Sequence, residues 1–370
     1  MTDAEPGPVV SDLPIAVVHD YLTQRGGAER VVLAMLDAFP YASALCALYE
    51  ASTTYPEFAA RDIKALPIDR IGFVRRHHRL SLPFMAPSFR SKRVEAPAVL
   101  CSSSGWAHGI KTSAPKVVYC HSPARWLYRP DGYLRHFGRV ARTGLGVAKK
   151  RLIAWDREAM ASADRILVNS TTIAAEVERV YGRDSEVVPP TSTLDAHGSD
   201  DAIDGLEPGF WLTVSRLLGY KRLDVLLDVA RLRSSETFAI IGDGPHQEAL
   251  VARAPRNVVF LGSVSDEQLR WAYRNTAALV STSAEDFGLT PVEAASFGRP
   301  SVVPRARGYL DHVVEELSGI FHDGTVDGLD EGLTRARLFG WDTVAVRKHA
   351  DQYHPSVFAA RIVKIMEEVA

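Results

Sequence analysis

Two glutamates, Glu285 and Glu293, stand eight positions apart around the run Asp286-Phe287-Gly288-Leu289-Thr290-Pro291-Val292. Proline suits the first helical position, where its missing N–H would find no partner anyway, so Thr290-Pro291 predicts a helix start. A loop that ends in a helix N-terminus presents free N–H groups and the positive end of a dipole, a setting for phosphate. One carboxylate lies before that point and one just inside the helix. Such a pair could hold hydroxyls on both sides of a bound diphosphate, as in a nucleotide sugar. Glu293 also has a local structural explanation. Thr290-x-x-Glu293 is a capping-box pattern, worth about 1 kcal/mol of helix stability. Glu285, in the loop after an apolar strand pattern, has none.

Three further segments could carry chemistry. Val214-Ser215-Arg216-Leu217-Leu218-Gly219-Tyr220-Lys221-Arg222 leaves a strand and enters a helix. Cations at a helix start are unfavourable unless an anion joins them, which points to a diphosphate beside Arg216 and Lys221; a solvated basic loop is the plainer reading. His19-Asp20-Tyr21-Leu22-Thr23-Gln24-Arg25-Gly26-Gly27 joins a strand to a helix from about Gly27. Paired glycines there let backbone N–H groups approach a ligand at the carboxyl end of a strand, or simply make a tight turn. Tyr119-Cys120-His121-Ser122-Pro123 also follows a strand directly. His121 could donate to a sugar hydroxyl or phosphate or move a proton, or be a half-buried ring bonded to backbone. No G-x-G-x-x-G follows a strand, which counts against nicotinamide or flavin binding.

Elements that would position these groups alternate between short apolar strands and helices. Strands are expected at Ile15–Val18, Ala44–Tyr49, Ala98–Ser102, Val117–Cys120 and Arg165–Val168, with helices near 27–38, 144–162 and 171–181. Pro189-Pro190 and the polar run Asp195–Pro208 break the pattern and read as a linker. Strands resume at Phe210–Ser215, Thr237–Ile241, Val258–Leu261, Ala277–Ser281 and Pro300–Val303, with helices between, including Arg222–Leu232. This alternation argues α/β with parallel sheets, in two Rossmann-like domains facing a cleft. The expected division is a tail at 1–12, a first domain over 13–192, a linker over 193–209, and a second domain over 210–352.

The 370 residues suit two domains, and 46% hydrophobic content suits a substantial core. Lys plus Arg (43) and Asp plus Glu (45) nearly cancel, against a dedicated nucleic-acid binder. Cys46, Cys101 and Cys120 form neither metal spacing nor an even disulfide set, which suits a reducing cytoplasm. The first residues resemble no signal peptide, and no apolar run reaches the roughly 20 residues of a membrane span. The cations are nevertheless crowded. Residues 70–93 carry Arg70, Arg75, Arg76, Arg79, Arg90, Lys92 and Arg93 with no acid, interleaved with Phe73, Phe84 and Phe89. Residues 125–151 add eight Lys or Arg against one Asp. Either an ordinary solvated face or contact with an anionic membrane or acceptor would explain these stretches.

Taken together, the segments resemble the retaining glycosyltransferases of family 4, which have the GT-B fold. The resemblance runs through Gly26-Gly27, Tyr119–Pro123, Asn169-Ser170, Val188-Pro189-Pro190, Ser215–Asp224, Gly242-Asp243-Gly244-Pro245, Leu261-Gly262 and Glu285-x7-Glu293. The Tyr220-Lys221-Arg222-Leu223-Asp224 and Cys120-His121-Ser122-Pro123 versions are similar to a bacterial mannosyltransferase branch. The resemblance implies that Glu285 holds sugar hydroxyls, that backbone N–H groups of Phe287, Gly288, Leu289 and Thr290 line sugar and phosphate, and that Glu293 holds the ribose diol. Arg216 and Lys221 would neutralise the leaving diphosphate. Gly26 and Gly27 would close on the donor, His121 would meet the sugar, and Gly242, Gly244 and Val264 would lie near the nucleobase. It implies a GDP- or UDP-linked donor, mannose above all, a glycan or lipid-linked acceptor, no metal and no other cofactor. The final helix, 355–369, would return to the first domain, with Trp341 and Tyr353 near the hinge. Two features depart from the family. Pro304-Arg305-Ala306-Arg307-Gly308-Tyr309 stands where many relatives carry a glycine-rich turn, and 78–97 lacks an expected aspartate. A non-hydrolysing nucleotide-sugar epimerase and an inactive sugar-binding or scaffold homologue remain open, a dehydrogenase more remotely.

Overall fold

The computed structural model describes residues 9–72, 82–128, 139–192 and 194–370, without the side chains of 82–83 and 139–148. The chain divides into two compact units, Met1–Thr193 with Pro355–Ala370, and Leu194–His354. Each is a parallel sheet with helices on both faces.

The first unit's strands are β1 (Ala16–His19), β2 (Ser43–Cys46), β3 (Ile63–Ala65), β4 (Val99–Ser103), β5 (Lys116–Cys120), β6 (Arg165–Val168) and β7 (Glu186–Val187), in the order β3-β2-β1-β4-β5-β6-β7. Side chains alternate between two cores, as a period of two requires. Ile15 and Val17 join Leu100 and Tyr119 on one face, beneath the helices Gly27–Ala38 and Pro355–Val369. Ala16 and Val18 join Cys101, Val118 and Ile166 on the other. Burial on both faces explains why these strands read as unbroken apolar runs. The last helix is fastened by Phe358, Ile362, Ile365 and Met366 within the first core, and by a 2.8 Å bond from Ser11 Oγ to Glu367.

The second unit holds β8 (Trp211–Val214), β9 (Phe238–Ile241), β10 (Val258–Gly262), β11 (Ala278–Val280), β12 (Ser301–Pro304) and β13 (Gly319–His322), in the order β10-β9-β8-β11-β12-β13. The sequence patterns miss β3, β7 and β13. All three are edge strands, and β3 (Ile-Lys-Ala) and β7 (Glu-Val) lack the unbroken apolar run that marks the central strands. The polar run expected as a linker is in fact attached to this unit. Leu194, Ile203 and Leu206 are buried with Phe210, and Arg274 donates to the carbonyls of Ala196 and Gly198, each at 2.9 Å. No helix among the described residues is long and apolar enough to cross a membrane.

Candidate active site

Open α/β sheets bind ligands beyond the carboxyl ends of the strands where the strand order reverses. In the second unit that point lies between β8 and β11. The Arg216–Lys221 segment follows β8 and the Glu285 loop follows β11, so the topology alone brings them together. Lys221 Nζ lies 2.7 Å from Glu285 Oε1, which also accepts from Ser283 Oγ at 2.6 Å. The Lys221 carbonyl accepts from Thr282 Oγ1 at 2.7 Å, tying the two loops at both ends of the lysine. Lys221 was expected as a cation held against a helix dipole. It closes a single 3-10 turn, Gly219–Lys221, and its charge is met by the Glu285 carboxylate. Arg216 is exposed, with Nη2 3.3 Å from the Tyr220 hydroxyl. Gly242, Gly244 and Val264 belong to the loops after β9 and β10. Gly242 has φ 124°, and a Cβ at Gly242 or Gly244 would collide with the backbone of Ser215 or Leu217, leaving no room for a side chain. Val264 is half-buried beside Leu269.

The capping-box reading of Glu293 is overturned. The helix spans Leu289–Ser296, begins at Gly288 (φ 88°) and has no side-chain cap. Pro291 therefore occupies the third helical position rather than the first, where its absent N–H is still one of the unbonded set. Thr290 is the second helical residue and Glu293 the fifth. Glu293 is buried and accepts from the Tyr273 hydroxyl at 2.6 Å. Phe287 is buried against Val292 and Tyr353, with Leu289 packed on the same cluster. Tyr353 is thus fixed within this unit, and Trp341 packs near Ala295 and Val346.

Sequence reasoning missed what supports the Glu285 loop from behind. Pro304–Tyr309, noted only as a departure, is its bracket. Gly308 N donates to the Glu285 carbonyl at 3.0 Å, and Arg307, at φ 54°, pairs with Asp286. The Tyr309 hydroxyl donates to Ser281 Oγ at 2.8 Å while its ring lies directly under Gly288. Burial, and secondarily the Glu285 charge, raise the Tyr309 pKa well above its ordinary value. His312 Nε2 faces the Phe287 carbonyl at 2.9 Å, so it carries the proton and donates. Its burial among Phe287, Tyr309 and Tyr353 pushes its pKa down to about 4. The signal available in sequence is only that two ring-bearing residues, Tyr309 and His312, follow a strand within ten positions.

In the first unit the reversal lies between β1 and β4. His19 ends β1 and is paired in register with Ser102 of β4, and His121 follows β5. His19 Nδ1 is 3.0 Å from both the Ser102 carbonyl and Ser102 Oγ, and Ser102 Oγ is 2.8 Å from His121 Nε2. Asn169 Nδ2 donates to the His121 carbonyl at 3.0 Å. Gly26 is the N-cap of helix Gly27–Ala38, with Glu29 close against its Cα. Asp20 is structural: it accepts from the backbone of Ser104, Trp106 and Ala107 and orients that turn. The basic stretches lie largely outside the described residues, since 73–81 and 129–138 and the side chains of 139–148 are not described. Within them Arg70, Arg90, Lys92 and Arg93 are exposed, near the exposed Ile71 and Phe84.

Both halves match known families. Residues 25–191 match the family described as Glycosyltransferase Family 4, and residues 210–336 match Glycosyl transferases group 1. The chain belongs to the group 1, family 4 glycosyltransferases. It is 31% identical over 248 residues to a GDP-mannose-dependent alpha-mannosyltransferase of Mycolicibacterium smegmatis, covering 60% of this chain and 64% of that protein. It is 29% identical over 266 residues to D-inositol 3-phosphate glycosyltransferase 2 of Catenulispora acidiphila, covering 59% and 62%. The matched stretches span less than two thirds of these relatives' own length. Among solved structures, Anabaena HepE in complex with UDP-glucose superposes with a TM-score of 0.70 at 15% identity, covering 96% of this chain and 99% of that one. The fold of this glycosyltransferase chain is GT-B.

Proposed function

We propose that this family member moves a hexose, with retention of anomeric configuration and without a metal, from a nucleotide sugar to a glycan or lipid-linked acceptor. GDP-mannose is the favoured donor. The observation that carries this reading is the cluster at the β8/β11 reversal: Lys221 against Glu285, Arg216 nearby, and a free helix N-terminus at Gly288–Leu289. Breaking a glycosyl phosphate leaves charge on the departing diphosphate, and fixed cations and helix N–H groups stabilise it. The Lys221–Glu285 pair suits a role in which the lysine turns to the diphosphate and the carboxylate to sugar hydroxyls. Glu293, buried and oriented by Tyr273, is assigned to the ribose diol. Gly242, Gly244 and Val264 are assigned to the base, and Gly26, Gly27 and His121 to the transferred sugar. Mannose is favoured by the relative named for GDP-mannose. The exposed Arg70, Arg90, Lys92 and Arg93 beside Ile71 and Phe84 suit peripheral contact with an anionic membrane at the cytoplasmic face.

A thermal-shift screen of GDP- and UDP-linked sugars tests the donor. A ligand at a hundred times its Kd stabilises by about 2.7 kcal/mol. Arg216→Ala and Lys221→Ala should each lower kcat/KM about a hundredfold or more, the scale of losing one charge-stabilising group. Stabilisation by no nucleotide sugar, or undiminished transfer in both variants, would overturn the reading.

A further inference from the structure

Ser102 is the centre of a three-residue chain at the first unit's strand-order reversal. It is fully buried, and its hydroxyl has two partners, His19 Nδ1 at 3.0 Å and His121 Nε2 at 2.8 Å. A hydroxyl has one hydrogen to give, and its direction follows from the third contact. His19 Nδ1 is also 3.0 Å from the Ser102 carbonyl oxygen, which can only accept. His19 Nδ1 therefore carries a hydrogen, shared between the carbonyl and Oγ of the same serine. The Ser102 hydrogen cannot point back at it, and since burial leaves a hydroxyl hydrogen aimed anywhere else without an acceptor, the satisfied arrangement directs it at His121 Nε2 as the bare, accepting nitrogen. In the neutral ring the remaining proton sits on Nδ1.

We propose that His19 and Ser102 are positioning residues that hold His121 as the neutral Nδ1–H tautomer, so that it serves the sugar nucleotide as a hydrogen-bond donor and not as a base. This rests on the assignment of His121 to the transferred sugar. The fold builds the device cheaply. The β1–β4 register sets His19 beside Ser102, and the His121 backbone N–H donates to the Ser103 carbonyl at 2.9 Å, so three strand ends fix the two rings and the hydroxyl. The burial of His19 and Ser102 keeps water from replacing either link. A donor at this place would leave the acceptor's proton to be taken by the departing phosphate oxygen rather than by the histidine. The O–H bond of the acceptor and the glycosyl–phosphate bond then break as the new glycosidic bond forms.

Long-range ¹H–¹⁵N correlation of the ¹⁵N-histidine-labelled full chain tests the tautomer directly, with His121→Gln identifying the His121 signals. The expected result is a protonated-type Nδ1 and an unprotonated-type Nε2 for His121, lost in Ser102→Ala in favour of the Nε2–H form that free histidine prefers. An Nε2–H tautomer in the parent chain overturns the proposal. In kinetics, Ser102→Ala should lower kcat about tenfold, the scale of one hydrogen bond, with donor KM little changed. His19→Asn, which keeps an N–H at the Nδ1 position, should retain activity and tautomer that His19→Leu loses. Equal activity and tautomer in His19→Asn and His19→Leu would overturn the role of His19. If no nucleotide sugar is turned over yet the tautomer pattern is as expected, the chain of hydrogen bonds stands and the transferase assignment alone falls.

Discussion

Gly308→Ala isolates the bracket behind the Glu285 loop. Gly308 sits at φ −63° and ψ −19°, a conformation alanine adopts without strain. Backbone preference therefore costs nothing, and by restricting the unfolded chain alanine would even stabilise slightly. The whole effect is steric. A Cβ at 308 would stand 2.6 Å from the Asp286 carbonyl carbon, and closer still to that carbonyl oxygen and to Phe287 Cα. Ordinary contact begins near 3.4 Å, so the loop must retreat by about 0.8 Å or more. These neighbours are backbone atoms and cannot swing aside as a side-chain tip would. Overpacking of this kind costs about 1–3 kcal/mol. At about 2–4 °C per kcal/mol for a domain of this size, Tm should fall by about 2–12 °C. The catalytic consequence is larger, because a misplacement of about 1 Å costs about a hundredfold when it moves a group that positions substrate. Gly340→Ala is the control, since nothing lies within 4 Å of its position. Transfer to a model acceptor, with Tm measured on the same samples, reads both effects. If Gly308→Ala transfers sugar as fast as Gly340→Ala, the loop is not positioned by Gly308 and the reasoning fails.

Two other perturbations separate structure from chemistry in the same unit. Glu293→Gln should raise the donor Kd about tenfold by calorimetric titration, the scale of one hydrogen bond to a charged group; an unchanged Kd would show that Glu293 serves the fold, as acceptor for Tyr273, and does not hold the donor. For His312, burial lowers the folded pKa from 6.5 to about 4, so only the unfolded chain takes up its proton between those values. Its contribution is complete above pH 6.5 and is lost as pH falls toward about 4, amounting to about 3 kcal/mol across that window. His312→Gln keeps a donor for the Phe287 carbonyl but cannot titrate. Denaturant unfolding from pH 7 to 4.5 should show a shallower loss of stability in the variant, and equal slopes would refute the account. His322, also shifted down by burial, adds to the parent slope in both proteins.

Much of the fold is legible because parallel strands buried on both faces are unbroken apolar runs. Val17-Val18, Val117–Cys120 and Phe238–Ile241 declare themselves by composition, and each sends alternate side chains into two cores. The edge strands β3, β7 and β13 do not, because Ile-Lys-Ala, Glu-Val and Gly-Ile-Phe-His are not unbroken apolar runs. Half of the site is legible for a related reason. Glycines and charged residues placed immediately after such runs mark the carboxyl ends of strands, where open sheets bind ligands. Arg216, Lys221, Glu285 and His121 all stand there. Strand order is what the sequence cannot display, and strand order decides which loops meet. Lys221 and Glu285 are 64 positions apart and bonded, because β8 and β11 are neighbours.

The same limit explains why the supporting residues stayed hidden. Ser102 and His19 are unremarkable as letters, 83 positions apart, and become a unit only through the β1–β4 register. Thr290-x-x-Glu293 shows the converse error, a motif whose spacing is right and whose geometry is absent. Gly288 takes the cap position with a positive φ, and Tyr309 fills the space a side chain would need there. A residue twenty-one positions downstream thus keeps a side chain out of that cap position. With the cap role removed, the structural role that still competes for Glu293 is that of acceptor for the Tyr273 hydroxyl. A carboxylate buried at the second turn of that helix, with the Tyr273 hydroxyl among its partners, costs more to desolvate than a neutral residue would. The proposed use of that charge is to hold a ligand hydroxyl beside Tyr273, and the Glu293→Gln titration decides between that use and a structural one.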